Sequence, residues 1–304
     1  MKRSLRDFLL TLGIAVVVFT LAAVFLIRGA EALMNDMVDY LHAKGSPAQT
    51  AEGPDPAATG DPGAPAEDRI ISFLVLGLDH EKQNADAIFL VAINATQNKM
   101  TAALIPSNTY VSHDGKKQNL GDTYSTRGAS YISSFVQMET GLSPDYYIAI
   151  SMDGLSNLID FLGGINYLVP QNMYAFDPVH NFKINLKVGS QLLTGDQAVQ
   201  LLTYRGYLNG VQGREETHLT FAKTFCSTFL KAENIPRAKE IMYNVYHNVD
   251  TDFSSTEFLA QIEILFNFPS YSATFNRIHG AVGSDGYYSI RTAQAKAMFE
   301  DYVK

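Results

Sequence analysis

The chain has 304 residues, of which 46% are hydrophobic and 18% are charged, and its formal net charge at pH 7 is −8. The 18 Phe and 16 Tyr residues supply core-forming surface, which excludes a disordered chain. The single cysteine, Cys226, excludes a disulfide-stabilised scaffold. The acidic balance argues against nucleic acid as a partner, because nucleic-acid-binding domains usually carry a surplus of Lys and Arg.

The first 28 residues have the pattern of a membrane anchor. Residues 8–27 contain no charged side chain, and a helix of that length spans about 30 Å, the thickness of the hydrocarbon core. Basic residues precede this run, so the positive-inside rule places residues 1–7 in the cytoplasm. We predict a single-pass transmembrane helix over residues 8–28 in the cell membrane. A cleaved signal peptide ending near Ala-Glu-Ala at 30–32 is the alternative.

Residues 29–68 are predicted to be a juxtamembrane segment followed by a linker. The stretch from 44 to 68 is rich in Pro, Gly and Ala and contains no large apolar side chain. Such a composition cannot bury enough surface to order itself. We expect it to tether an extracytoplasmic domain formed by residues 69–304.

Within residues 69–304, strand and helix patterns alternate. Buried strands are predicted from short apolar runs at 70–78, 87–93, 100–105 and 146–150. Helices are predicted from apolar spacing at 124–140, 153–162, 194–203 and 213–230, with three more before the chain ends. Asp153 is expected to cap the second of these helices, and Thr194 with Gln197 forms a capping box for the third. The pattern predicts an α/β fold with three α/β/α layers around a mixed central sheet.

Several common catalytic motifs are absent from the sequence. There is no phosphate-binding P-loop, dinucleotide-binding glycine pattern, nucleophile elbow or zinc-protease motif, and the seven His residues show no metal-ligand spacing. The usual nucleotide-binding, serine-hydrolase and zinc-protease functions therefore lose most of their support.

Two carboxylates stand at the ends of neighbouring predicted strands. Asp79 follows the first strand and Asp86 precedes the second. If these strands are adjacent, both side chains converge at one edge of the sheet, where open α/β sheets place ligands. Two carboxylates together with a substrate phosphate are the usual ligands of Mg²⁺ in proteins. The alternative is that both are ordinary turn residues.

Two arginines flank a glycine-containing loop between predicted helices. Arg214 lies in the first turn of its helix, where a cation opposes the helix dipole unless an anion is bound there. Arg205 follows the preceding helix, and the loop could direct both guanidinium groups toward one anion. Lys116 and Lys117 add possible cations. The alternative is that the arginines are solvated and paired with nearby Glu side chains.

A longer series of short motifs runs through residues 73–290. In chain order they are FLVLGLD (73–79), ADAIFLVAIN (85–94), LIPSNTYV (104–111), DYYIAISMDGL (145–155), DFLGGI (160–165), LTGDQA (193–198), GREE (213–216), NVDTDFSSTEF (248–258) and GYYSI (286–290). This ordered series resembles the LytR-CpsA-Psr family. Members of that family use Mg²⁺ to transfer glycopolymers, such as teichoic acids or capsular polysaccharide, from a polyprenyl-pyrophosphate carrier onto peptidoglycan.

The resemblance implies specific roles for the candidate residues. Asp79 and Asp86 would hold Mg²⁺, and Lys117, Arg205 and Arg214 would bind the pyrophosphate, with the two arginines as the catalytic groups. The lipid tail would need an apolar slot between the sheet and the helices. We therefore expect a membrane-anchored glycopolymer phosphotransferase.

The sequence also departs from the family pattern at five positions. They lie where the family carries four arginines and a carboxylate, and they are Asn84, Ser107, Asn108, Thr203 and Thr217. Loss of one charge-stabilising group can slow catalysis by ~10²–10³-fold, and Arg127 and Lys116 are candidates for partial replacement. The alternative function is therefore a weakened or inactive family member that binds polyprenyl-phosphate lipid or regulates envelope assembly.

Overall fold

The computed structural model of the chain describes residues 69–79, 81–113, 115–177 and 182–303. The predicted transmembrane helix at 8–28 and the linker at 29–68 lie outside these residues. Within the described ranges, no helix combines the length and apolar character needed to cross a bilayer.

The strands are short and are distributed along the whole described chain. They are β1 (Ile70–Leu78), β2 (Ala85–Asn94), β3 (Lys99–Ile105), β4 (Tyr110–His113), β5 (Lys116–Asn119), β6 (Tyr146–Ile150), β7 (Ile165–Val169), β8 (Met173–Asp177), β9 (Phe182–Leu186), β10 (Gly189–Leu193), β11 (Val249–Thr251), β12 (Ser272–Arg277), β13 (Gly280–Val282) and β14 (Tyr288–Ile290).

The helices connect these strands and close the carboxyl-terminal part of the domain. They are α1 (Tyr124–Thr140), α2 (Met152–Phe161), α3 (Gly195–Thr203), α4 (Val211–Phe229), α5 (Ala238–Asn248), α6 (Ser255–Ala260), α7 (Ile262–Leu265) and α8 (Thr292–Phe299). Short 3₁₀ turns occur at Gly121–Thr123, Ala232–Arg237, Phe268–Ser270 and Glu300–Tyr302.

The central sheet has six strands in the order β11–β6–β1–β2–β3–β12. The pair β1–β6 and the pair β3–β12 are parallel, whereas β1–β2, β2–β3 and β6–β11 are antiparallel. The strands β1, β3, β6 and β12 therefore end, and β2 begins, at the same edge of the sheet. We call this the upper edge, and it carries the candidate site.

Packed elements cover both faces of this sheet. Successive strand residues point to opposite faces, and Leu74 and Leu76 of β1 are fully buried in a cluster with Ile132 of α1. On the other face, the ring of Phe73 packs edge-on against Phe253 with centroids 5.1 Å apart. The predicted α/β fold with a mixed central sheet is confirmed.

A second hydrophobic cluster lies under a long two-stranded ribbon. β7 pairs with β10 and β8 pairs with β9, so the four strands continue one another as a single ribbon. Val169 faces Gly189 and Met173 faces Leu186, so the β7–β8 side carries one extra residue at the junction. The inner side chains of the ribbon pack with α2, α3 and α4.

Local predictions were confirmed at some helix starts and wrong at others. Thr194 and Gln197 form the predicted capping box of α3. The cap of α2 is Ser151, whose hydroxyl accepts the Gly154 N–H at 3.2 Å, whereas Asp153 lies inside the helix. Helix α4 begins at Val211, two residues before the predicted start at residue 213. After residue 230, where only helices were predicted, the chain also forms β11 to β14.

Candidate anion-binding site at the sheet edge

The β1–β2 hairpin holds the two predicted carboxylates in different ways. Asp79 stabilises the turn, because its oxygens accept the Gln83 N–H at 2.8 Å and the Asn84 side-chain amide at 2.7 Å. The pairing shifts between Gly77, which faces Ala87, and Leu78, which faces Ala85, so Asp86 is the extra residue of a bulge. Bulges redirect a side chain out of the regular ladder, and here the bulge presents Asp86 at the upper edge.

Both predicted arginines converge on Asp86. The Nη2 atoms of Arg205 and Arg214 lie 3.1 and 3.2 Å from the same carboxylate oxygen, Oδ2. The Arg205 side chain is 68% exposed, whereas Arg214 and Asp86 are 19% and 24% exposed. Two guanidinium groups therefore share one carboxylate, which leaves a local excess of one positive charge.

Arg214 is the more constrained of the two arginines. Burial lowers its pKa from the ordinary value and Arg205 adds to that effect, while the charge of Asp86 acts in the opposite direction. Its Nε atom is buried and has no hydrogen-bond partner among the described residues. An unsatisfied buried donor costs about 1–3 kcal/mol, and an anion that accepts a hydrogen bond there would remove this cost.

The end of α3 is fixed against α4 by a buried histidine that the sequence analysis missed. His218 lies one turn beyond Arg214, and its Nε2 is 3.0 Å from the Leu202 carbonyl near the end of α3. Burial, helped by the charge of Arg214, lowers the pKa of His218 to about 4. The imidazole is therefore neutral at pH 7, and Nε2–H donates, because a carbonyl can only accept.

Two other predicted cations, Lys117 and Arg127, contact groups other than Asp79 and Asp86. The Nζ of Lys117 is 2.6 Å from Asp285 and lies over the rings of Tyr110 and Tyr287. Arg127 stacks on Tyr131 across the break in α1 at Gly128, with its guanidinium carbon 4.5 Å from the ring centroid. Among the described residues, neither cation pairs with Asp79 or Asp86, and their binding roles stay predictions.

At four of the five predicted departures from the family pattern, the side chain is hydrogen-bonded within the protein. Asn84 donates to Asp79, and Asn108 donates to the Gly286 carbonyl at 2.9 Å. The hydroxyls of Thr203 and Thr217 donate to carbonyls one turn earlier in their own helices. These four uncharged side chains therefore contribute internal hydrogen bonds.

A further guanidinium group stands at the upper edge. Arg277 ends β12, and its Nη1 is 2.9 Å from Glu215, the residue after Arg214 in α4. Its guanidinium carbon lies 5.3 Å from the Tyr288 ring centroid. No motif in the sequence marks Arg277, because its position depends on the parallel pairing of β12 with β3.

The carboxylates of this site suit one kind of metal ion. Mg²⁺ in proteins is held by one or two carboxylates together with substrate phosphate oxygens and water. Both ion pairs of Asp86 use Oδ2, which leaves Oδ1 for a further ligand. The described residues contain no group of three or more His, Cys, Asp or Glu side chains that could hold a metal. Both oxygens of Asp79 accept hydrogen bonds, so a Mg²⁺ site at Asp86 would depend on substrate phosphate oxygens. The metal-binding roles of Asp79 and Asp86 stay predictions.

The fold and the site together define an α/β protein with a carboxylate–arginine cluster at its sheet edge, which is a candidate anion-binding site. The family model for the LytR_cpsA_psr family matches residues 38–302, so the chain belongs to this family.

Two curated relatives illustrate the similarity in sequence. The polyisoprenyl-teichoic acid–peptidoglycan teichoic acid transferase TagU of Enterococcus faecalis is 27% identical over 192 residues, which cover 60% of the chain and 61% of the relative. Biofilm regulatory protein A of Streptococcus mutans is 25% identical over 252 residues, covering 76% of the chain and 57% of the relative. The chain thus matches about three fifths of the length of these relatives.

Solved structures share the fold. Protein gbs0355 of Streptococcus agalactiae has a TM-score of 0.66 at 22% identity, covering 77% of this chain and 88% of that chain. TagV of Bacillus subtilis has a TM-score of 0.64 at 22% identity, covering 78% of this chain and 96% of that chain.

Proposed function

We propose that the chain is a membrane-anchored, extracytoplasmic phosphotransferase that moves a glycopolymer from a polyprenyl-pyrophosphate carrier to peptidoglycan. Family membership and the similarity to a teichoic acid transferase support the reaction class. The uncharged run at 8–27 supports the anchor and the extracytoplasmic location. The observation that carries the proposal is the convergence of Arg205 and Arg214 on Asp86.

In this reaction an acceptor hydroxyl oxygen forms a bond to the glycan-side phosphorus. The bond from that phosphorus to the bridging oxygen breaks, polyprenyl phosphate leaves, and the hydroxyl proton passes to water. Arg214 orients the pyrophosphate with its buried guanidinium, and the exposed Arg205 neutralises charge that develops on the leaving phosphate. Mg²⁺ held by Asp79 and Asp86 would supply further charge neutralisation when bound.

The test is a transfer assay with the full chain, a polyprenyl-pyrophosphate-linked glycan, peptidoglycan fragments and Mg²⁺. We expect Arg214→Gln to reduce the rate by ~10²–10³-fold, as removal of a preorganised charge-stabilising donor does. Arg237→Gln is the matched control, because Arg237 pairs with Glu240 on the surface of a different segment. Equal rates for the wild type and Arg214→Gln would refute the catalytic assignment.

The second candidate function is a non-catalytic lipid-binding or regulatory component of envelope assembly. The observation that favours it is that Asn84, Asn108, Thr203 and Thr217 form internal hydrogen bonds where the family carries charged groups. Polyprenyl phosphate that co-purifies with the chain without any turnover would support this function, and transfer activity would exclude it.

A further inference from the structure

The outer face of the ribbon exposes large apolar side chains. On one strand Leu168, Tyr174 and Phe176 are 68%, 59% and 62% exposed, and on the other Val188 and Leu192 are 56% and 57% exposed. Because β7 and β8 continue one another opposite β9 and β10, these side chains belong to one continuous element. Large exposed apolar patches on soluble domains usually mark an interaction site.

The ribbon does not need these side chains for its own packing. Its inner side chains, including Tyr167, Val169, Met173 and Ile184, are at most 6% exposed and join the second hydrophobic cluster. Strand residues alternate between faces, so Leu168 points away from the side that Tyr167 and Val169 bury. The outer face is therefore an additional apolar surface on an element that is already anchored.

The charges on this face match an anionic lipid surface. Lys183 faces Phe176 in the strand pairing and therefore shares its face, and Lys187 lies beside Val188 at the junction of β9 and β10. Both lysines are exposed, and neither forms an ion pair with a described residue. Lysines combined with Tyr, Phe and Leu are typical of surfaces that sit at the boundary between lipid headgroups and acyl chains, where the ammonium groups reach anionic headgroups.

The ribbon is linked to the loop between α3 and α4 (residues 204–210), which contains Arg205 and which we call the arginine loop. Gln171, at the junction of β7 and β8, donates its side-chain amide to the Gly206 carbonyl at 3.2 Å, directly after Arg205. The same loop carries Leu208, which is 96% exposed, and it leads into Val211, the first residue of α4, which is 65% exposed. Contact of the ribbon with a bilayer would therefore bring the arginine loop toward the surface where a carrier headgroup lies.

We propose that the outer face of the ribbon docks onto the headgroup region of a bilayer that contains anionic lipid, with Tyr174, Phe176, Leu168 and Leu192 as the inserted side chains. This inference rests on the proposed membrane anchoring of the chain. It adds a second membrane contact, which sets how the Asp86 cluster meets a pyrophosphate at the bilayer surface.

The experiment measures the depth of single labelled cysteines in the full chain reconstituted into vesicles of phosphatidylcholine and phosphatidylglycerol. All labelled variants carry Cys226→Ala, because Cys226 is only partly buried and could otherwise take up label. A fluorophore is placed at Phe176→Cys on the ribbon and, as the matched control, at Met138→Cys, an equally exposed apolar position in α1. Quenching by nitroxides on the lipid acyl chains then reports insertion.

We expect loss of fluorescence at position 176 and none at position 138. We also expect the quenching at position 176 to weaken in vesicles of phosphatidylcholine alone and after Lys183→Glu with Lys187→Glu. Equal quenching at both positions, or none at position 176, would overturn the proposal. A further outcome concerns the chain in detergent without lipid. If the label at position 176 becomes less accessible to solvent as the protein concentration rises, a second copy of the chain covers this face. That result would also overturn the proposal.

Vesicle flotation separates this inference from the proposed function. A chain that floats with vesicles but shows no quenching at position 176 is anchored and lacks the docking face. A chain that does not float lacks the anchor, and both proposals fail.

The double variant Leu168→Ser with Leu192→Ser should keep transfer activity in detergent and lose it in vesicles. An inactive wild type with quenching at position 176 would refute the transferase and leave the docking face supported.

Discussion

At the scale of single residues, the candidate site depends on one carboxylate shared by two guanidinium groups. Asp86 neutralises one of the two charges, which allows Arg214 to remain charged in a largely buried position. In a chain with a net charge of −8, an anion must be held by such a local excess of positive charge.

The variant Asp86→Asn tests this shared arrangement. Without metal, we expect inorganic pyrophosphate to bind about tenfold more tightly, or about 1.4 kcal/mol, because the guanidinium groups no longer compete for a carboxylate. Any increase in pyrophosphate affinity that Mg²⁺ gives the wild type should disappear in this variant, because a proposed metal ligand is lost. Calorimetric titration in EDTA and in Mg²⁺ measures both effects. The control is Asp301→Asn, which removes the exposed pair with Lys99 and should change neither.

His218 makes the stability of the domain dependent on pH in a defined window. Its folded-state pKa of about 4 lies below the ordinary value of 6.5, so between these pH values the unfolded chain binds a proton that the folded chain does not. Stability therefore falls as the pH falls from 6.5 to 4, by about 3 kcal/mol from this group, and changes no further below pH 4.

The variant His218→Gln keeps a donor for the Leu202 carbonyl but does not titrate. Urea unfolding at pH 7 and pH 4.5 should show a smaller loss of stability on acidification for this variant than for the wild type. An equal loss of stability on acidification in His218→Gln and in the wild type would contradict the assignment of the effect to His218.

At the scale of elements, the sequence predicted those strands and helices whose hydrophobic pattern or capping residues lie within one short segment. The apolar runs of β1, β3 and β6, the spacing of α1 and the capping box of α3 each lie within one short segment. The strands β11, β13 and β14 have three residues each, which is too short for a periodic pattern to mark them. In addition, β11 pairs with the distant β6. The bulge at Asp86 and the position of Arg277 at the upper edge depend on strand register. The spacing of residues in the sequence does not encode that register.

The contact between α2 and α3 provides a test at this scale. A Cβ atom on Gly195, at the start of α3, would lie 2.0 Å from the Ser156 carbonyl oxygen, so the two helices would have to separate. We expect Gly195→Ala to lower the free energy of unfolding by about 1–3 kcal/mol, the usual cost of overpacking.

The control for this contact is Ser156→Ala. It removes the hydrogen bond from the Ser156 hydroxyl to Asp196 but creates no collision, so it should cost about 1 kcal/mol. Chemical denaturation of the two variants gives the comparison. A Gly195→Ala variant as stable as the wild type would show that the helices do not approach so closely.

At the scale of the whole molecule, the end of the chain completes the core that the first strands begin. Phe299 and Tyr302 are buried in the same cluster as Leu74 and Leu90, and the Tyr302 hydroxyl lies 2.9 Å from that of Thr101. The match to the family model ends at residue 302, which includes this closing segment. Folding therefore requires pairings between residues about 200 positions apart, which generally makes folding slow.

Phe299→Ala tests whether the domain folds as one cooperative unit around this closure. The side chain is fully buried, and removing it should cost about 3–5 kcal/mol from lost burial and the remaining cavity. Because Phe299 packs on the sheet that carries Asp86 and not on a separate subdomain, the whole urea transition should shift to lower denaturant with its slope unchanged. The control, Val303→Ala, alters a side chain that is 49% exposed and should leave the transition in place. A biphasic transition in Phe299→Ala, with the ribbon and α2–α4 unfolding separately, would show that the two hydrophobic clusters are independent cooperative units.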